Sequence, residues 1–292
     1  MNISDRFAAF YTPSYVNSLK ELDKLRRRII INYFVIGTVV FAGFIFEAIT
    51  WMLIGVLIII LFIFFYIRTF GVSNQYFQQQ FARLTQGRIG TDLLPSSSYD
   101  PDRYIKLSVL QKACLLASVP TQFQGSNMIE HRLGDDWIQL SEIESGSMLK
   151  NDMGMTEKVI HFSGWVGIRQ VETGVTEPII LMHENLVGFS GLQKTVSIQA
   201  QKDLIAWYPS EAVFNRYFSP STLVEVVNYT EQSGNLIFIS VFDGGICVAV
   251  SPVHKEKYRL ANLWNKVENE KEIRKIYEAN SFITQMLFRL KA

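Results

Sequence analysis

Residues 29–67 read IIINYFVIGTVVFAGFIFEAITWMLIGVLIIILFIFFYI, and the interpretation of this run decides the architecture. Tyrosines aside, its only ionisable side chain is Glu47. A bilayer core about 30 Å thick is crossed by about 20 apolar residues, so a block about twice that long predicts two crossings. One straight helix over the same block would reach about 60 Å, too far for a single crossing. Glu47 marks the expected turn, because an acid costs on the order of 3 kcal/mol at mid-bilayer and little at an interface. Thr50 and Trp51 flank it, and an interfacial indole suits that depth. The expected spans are 29–45 and 51–67. The run is too long, starts too late and lacks the small-residue cleavage site of a signal peptide.

The flanks set the expected orientation. Arg26, Arg27 and Arg28 precede the first span, Arg68 follows the second, and the intervening turn holds no Lys or Arg. Positive charge concentrated on one side predicts a multi-pass membrane protein with both termini in the cytoplasm. The sequons at Asn2-Ile3-Ser4 and Asn228-Tyr229-Thr230 are then chance matches.

Taken whole, the chain is ordinary in composition, with formal net charge +1. So balanced a charge argues against a nucleic-acid partner, which calls for a basic face. The expected partners are the lipid bilayer and either another protein or a second copy meeting through the helical hairpin. Four segments follow: an amphipathic helix at 1–28, the hairpin at 29–67, a juxtamembrane helix and linker at 68–104, and an α+β domain at 105–292. In the first, Tyr15, Leu19, Leu22 and Leu25 recur at helical spacing, suited either to packing on the domain or to a lipid surface. Residues 87–104, with Pro95, three serines and Pro101, read as a linker.

Past Pro120 the pattern turns to strands. Segments 127–132 and 137–143 flank a turn at Leu133-Gly134-Asp135-Asp136, and 236–242 and 246–251 flank Asp243-Gly244-Gly245. A long strand is expected at 158–171, with Gly164 and Gly167 marking a bend, and shorter ones at 178–183, 195–200 and 204–208. Helices are expected at 106–116, at 210–217 and 221–232 behind Ser210 and Ser221 caps, and at 266–290. Blocks of strands joined by hairpin turns, interleaved with helices, predict an α+β fold with a mainly antiparallel sheet.

Catalytic signals are weak. His131, His161, His183 and His254 form no ligand-spaced cluster, and His183-Glu184 is followed by Asn-Leu-Val instead of completing a zinc motif. Gly188-Phe189-Ser190-Gly191 has Leu192 where a nucleophile elbow needs glycine. Asp135 and Asp136 are explained by their turn, and Glu142 and Glu144 alternate with Ile143 on a strand expected to face them to solvent. No Gly-rich phosphate loop is present, and Cys114 and Cys247 read as buried thiols. No cofactor is expected.

Four segments carry a family resemblance. VLQKACLLASVPTQFQGSNMIEHRLGDDWIQLSEIE (109–144), HFSGWVGIRQV (161–171), LIAWYPSEAVFNRYFSPSTLVEVV (204–227) and LIFISVFDGGICVAV (236–250) resemble, in this order, the corresponding parts of a bacterial two-transmembrane family catalogued as domain of unknown function 3137. The resemblance spans nearly the whole chain and implies an inner-membrane protein with no catalytic residues to transfer. The leading expectation is a membrane-tethered interaction or sensing module. Its alternatives are a membrane-proximal enzyme whose site only the fold assembles, and a membrane-perturbing stress or defence effector.

Overall fold

A computed structural model describes residues 3–47, 52–116, 119–150, 155–186, 198–201, 203–252, 267 and 269–290. Nine strands form a single sheet among them: β1 (Ser98–Asp100), β2 (Gln122–Leu133), β3 (Asp136–Lys150), β4 (Thr156–Gln170), β5 (Ile179–His183), β6 (Ile198–Gln201), β7 (Leu204–Trp207), β8 (Asn235–Phe242) and β9 (Gly245–Pro252). Their order is β1-β2-β3-β4-β9-β8-β5-β7-β6, and each neighbouring pair is antiparallel. The fold is therefore α+β with an antiparallel sheet, as the strand patterns predict.

Both expected hairpin turns form where glycine makes a left-handed backbone cheap, at Gly134 (φ 63°) and Gly244 (φ 86°). Alternation then sorts the side chains of the central strands. Trp165, Ile179, Leu181, Ile237, Ile239, Val248 and Val250 point to one core. Val166, Ile168, Ile180, Met182, Phe238, Cys247 and Ala249 point to the other. Burial on both faces is why β8 and β9 read as nearly unbroken apolar runs.

The first core lies beneath the long helices. These are α1 (Ile3–Phe10), α2 (Pro13–Glu47), α3 (Met52–Leu93), α5 (Glu211–Tyr217), α6 (Pro220–Ser233) and α7 (Glu270–Arg289). The short α4 (Leu107–Lys112) and its flanking residues cover the second core through Ile105, Leu110, Leu115 and Leu116. Gly167 lets α7 come down on β4, since a β-carbon there would strike Leu140, Ile283 and Leu287. Gly164 faces the backbone of β9 at Val250 and Ser251. Both glycines mark close approaches of neighbouring elements.

Several expectations are revised. The Ser221 cap gives way to Ser219, whose hydroxyl accepts from the Thr222 amide with Pro220 in the first helical turn. The expected linker at 87–104 is helical through Leu93, because Gly90 packs closely on Ile129 and Gly87 on Tyr99. The stripe Tyr15, Leu19 and Leu22 is buried in the first core, so the N-terminal helix packs on protein. Its start is a separate element, α1, that ends before Pro13.

The largest correction concerns the apolar run. Among the described residues, no helix is long and apolar enough to cross a membrane. This overturns the two spans at 29–45 and 51–67, and with them the multi-pass, inner-membrane placement. The apolar residues are turns of longer helices that also carry charge. α2 is continuous through Lys20, Glu21, Asp23, Lys24, Arg26, Arg27 and Arg28, and α3 through Arg68, Arg83, Arg88 and Asp92. Two of the arginines taken as orientation markers share one counter-charge: Arg26 and Arg27 donate to the buried Asp23 carboxylate at 2.7 and 2.8 Å. Arg28 and Arg68 are exposed. Glu47 is the last residue of α2, and 48–51, including Trp51, lie outside the described residues.

Candidate functional site

The α2–α3 hairpin is the most distinctive surface. Tyr15 donates to Thr85 at 3.0 Å and Tyr33 bonds Ser73 at 2.9 Å, so the two helices run antiparallel. Near the domain their apolar side chains are sheltered: Leu25, Ile29, Ile30 and Phe70 pack against the first core. Arg88 locks this base by donating to the Phe10 carbonyl and Thr12 hydroxyl while lying over the rings of Phe10 and Tyr15. Burial then pushes the Tyr15 hydroxyl pKa up to about 12, against the lowering effects of its Thr85 hydrogen bond and Arg88.

Further along, the same helices present apolar groups to solvent. Phe34 is 66% exposed, Phe41 69% and Phe64 67%, and Ile31, Val35, Ile36, Ile63, Val72 and Tyr76 are also exposed. Exposed apolar side chains in such number mark interaction sites. Hydropathy alone found this stretch but could not show that its base is fastened to a folded domain.

The histidines do not converge. His131 lies on β2 with a buried Nδ1 that has no hydrogen-bond partner among the described residues, and His161 bonds Ser147 at 2.8 Å on β4. His183 ends β5, its Nδ1 accepting from the Asn185 amide at 3.2 Å. His254 and the 188–192 segment lie outside the described residues. Among the described residues, no group of three His, Cys, Asp or Glu could hold a metal ion.

His183 does share a cavity with carboxylates, which sequence spacing could not reveal. It lines a cavity of about 210 Å³ with Asp203, Glu231 and Asn235, and Asp203 holds a left-handed backbone (φ 59°). That volume falls below the range of about 300–1,000 Å³ usual for small-molecule sites. A histidine beside acids is suggestive chemistry, but this cleft is small for a substrate.

The carboxylate pairs resolve into structural bonds. Arg169 clamps Asp136 at 2.6 and 2.9 Å and donates to the Leu287 carbonyl, tying the β2–β3 turn to α7. Glu144, expected in solvent, is buried, because β2 and β4 flank it and supply Gln124 at 2.9 Å and Lys158 at 2.5 Å. Glu142 accepts from Asn127 at 3.1 Å. Cys247 is fully buried and Cys114 partly so, and burial raises both thiol pKa values above the ordinary range. These thiols are poor nucleophiles at neutral pH.

No protein-family model, curated protein or solved structure matches the chain, which neither supports nor opposes the family resemblance.

Proposed function

We infer that the chain is a protein-interaction module that self-associates through the exposed apolar side chains of the α2–α3 hairpin. The observation that carries this reading is the contrast along one pair of helices, anchored at the base and uncovered beyond it. The nine exposed side chains offer on the order of 1,000 Å² of surface, comparable with the roughly 800 Å² each partner gives a stable dimer. Between Ile29 and Glu47 α2 carries no charge, and on α3 the exposed side chains from Phe64 to Tyr76 flank a single cation, Arg68. Paired apolar helices from two chains would close into a four-helix arrangement, a packing in which a uniform apolar stripe is buried. The resemblance to domain of unknown function 3137, which implies no catalytic residues, is consistent with this reading.

Sedimentation of the full chain, wild type against Phe34→Glu with Phe64→Glu, tests it. The wild type is expected as a dimer or larger species and the variant as a monomer with unchanged secondary structure. A wild type that stays monomeric across micromolar concentrations would overturn the reading. So would a monomer that instead floats with phosphatidylcholine vesicles, since the surface would then meet lipid and not a second copy.

A further inference from the structure

A second feature lies where α1, the end of α3, α6 and α7 converge. A cleft of about 550 Å³ opens there, lined by Arg6, Leu93, Glu225, Ser281, Thr284, Gln285, Phe288 and Arg289. This is the only cavity described above or here whose volume lies well inside the range that holds small organic ligands and whose polar groups are not all committed to one another. In the cleft beside β3, of about 350 Å³, Glu144 and Lys158 are already paired.

The charges of the four-helix cleft do not cancel. Arg289 forms an ion pair with Glu225, so these two neutralise each other. Arg6 is exposed on α1 and has no ion-pair partner among the described residues. Among the lining charges one guanidinium is thus left outside an ion pair, with Tyr277 and its partner Asp92 within electrostatic reach, and its donors form a planar fork that fits a carboxylate or a phosphate. A second, independent sign comes from Ser281. It is fully buried, it lines the cleft, and its Oγ has no hydrogen-bond partner among the described residues. A buried hydroxyl left unbonded carries a desolvation penalty that a ligand atom would relieve. Thr284 is different: its hydroxyl already donates to the Asn280 carbonyl at 2.8 Å. The remaining wall is formed by Leu93, the exposed Phe288 and the polar Gln285.

From this arrangement we propose that the cleft is a binding site for a small organic anion, its charged head on Arg6 and the Ser281 hydroxyl and its apolar body against Leu93 and Phe288. Carboxylate and phosphate monoester heads share the required chemistry. The site joins the base of the hairpin, through Leu93 at the end of α3, to α6 and α7 of the domain. Occupancy therefore cross-links elements far apart in sequence. The proposal does not depend on self-association and is read by binding, not by oligomeric state.

Calorimetric titration of the full chain with hexanoate, hexyl phosphate, inorganic phosphate and neutral hexanamide tests it. At least one of the two organic anions is expected to bind saturably, and hexanamide at least ten-fold more weakly. Arg6→Gln, a surface change, is expected to weaken the anion at least about ten-fold, which corresponds to about 1.4 kcal/mol. Ser281→Ala is expected to weaken it about three-fold or more without lowering the melting temperature, as one hydrogen bond is lost. The proposal is overturned if neither organic anion binds saturably, if hexanamide or inorganic phosphate binds as tightly as both, or if Arg6→Gln leaves affinity unchanged.

Discussion

The Tyr277 hydroxyl donates to the Asp92 carboxylate at 2.7 Å, bonding α7 to the last turn of α3 across 185 positions of sequence. Tyr277 is fully buried, and its ring sits against Phe7 and Phe10 of α1 at centroid distances of 5.5 and 4.8 Å. Burial first, and then the Asp92 charge and hydrogen bond, raise the phenol above its ordinary pKa, so it remains a donor at all physiological pH. Tyr277→Phe keeps the ring and deletes the donor. A hydrogen bond to a charged group contributes about 1.5–3 kcal/mol, so the variant is expected to lose about 2 kcal/mol in urea unfolding followed by circular dichroism. A loss confined to a few tenths would mean that Asp92 is equally well solvated without it.

The two glycines of β4 give a ranked prediction. At Gly167 a β-carbon would press on side chains, Leu140 at 2.7 Å and Leu287 at 3.0 Å among them, all fully buried. At Gly164 it would press on the Val250 carbonyl, which belongs to a paired strand and cannot turn aside. Gly167→Ala is expected to destabilise by about 1–3 kcal/mol, the usual range for overpacking. Gly164→Ala is expected to lose more, read from midpoints of the same denaturant curves. The reverse order would show that α7 is held more rigidly than the β9 backbone.

Helix capping offers a third test on α6. Ser219 Oγ accepts from the Thr222 amide at 3.3 Å, whereas Ser221 sits inside the first turn. Ser219→Ala is expected to cost about 1 kcal/mol, as N-cap removal does, and Ser221→Ala close to nothing. Thermal unfolding of the two variants side by side decides between the caps.

That cap illustrates which information was local. Turns at Gly134 and Gly244 follow from a few neighbouring residues, and both were legible. Ser219 and Ser221 lie two positions apart, and only Pro220 at the first helical position distinguishes the cap. Strand lengths were less legible. Gln122 and Gln124 lie outside the expected strands, yet both belong to β2, where Gln124 is satisfied by Glu144 of the adjacent strand. The union of β4 with β9 has no local signal at all, since it brings Val166 beside Ala249. The apolar run was visible as composition, while its continuity with the charged turns at Asp23 and Arg88 is a property of helix length. The cleft was invisible for the same reason as the β4–β9 pairing: Arg6, Glu225 and Ser281 come from helices far apart in sequence.

Two carboxyl groups predict opposite responses to pH. Burial by itself would raise the Asp23 pKa, but hydrogen bonds and charge from Arg26 and Arg27 outweigh it and hold the group below the ordinary aspartate value. A depressed folded-state pKa adds stability that is present above the unfolded value, about 3.9, and disappears as pH falls through the folded one. Asp23→Asn is therefore expected to cost about 2 kcal/mol at pH 7, with the gap to wild type closing below about pH 3.9. Glu278 behaves in the other sense. Burial raises its pKa, and Arg274 offsets this only in part. Folding then favours the protonated acid, so the contribution is full below the unfolded value of about 4.3 and is lost as pH rises through the folded pKa. Glu278→Gln is expected to stabilise the protein at pH 7 and to change little below about pH 4.3. Melting temperatures of both variants from acid to neutral pH should diverge from wild type in opposite directions as pH rises. Parallel curves would show that neither carboxyl changes its proton affinity on folding.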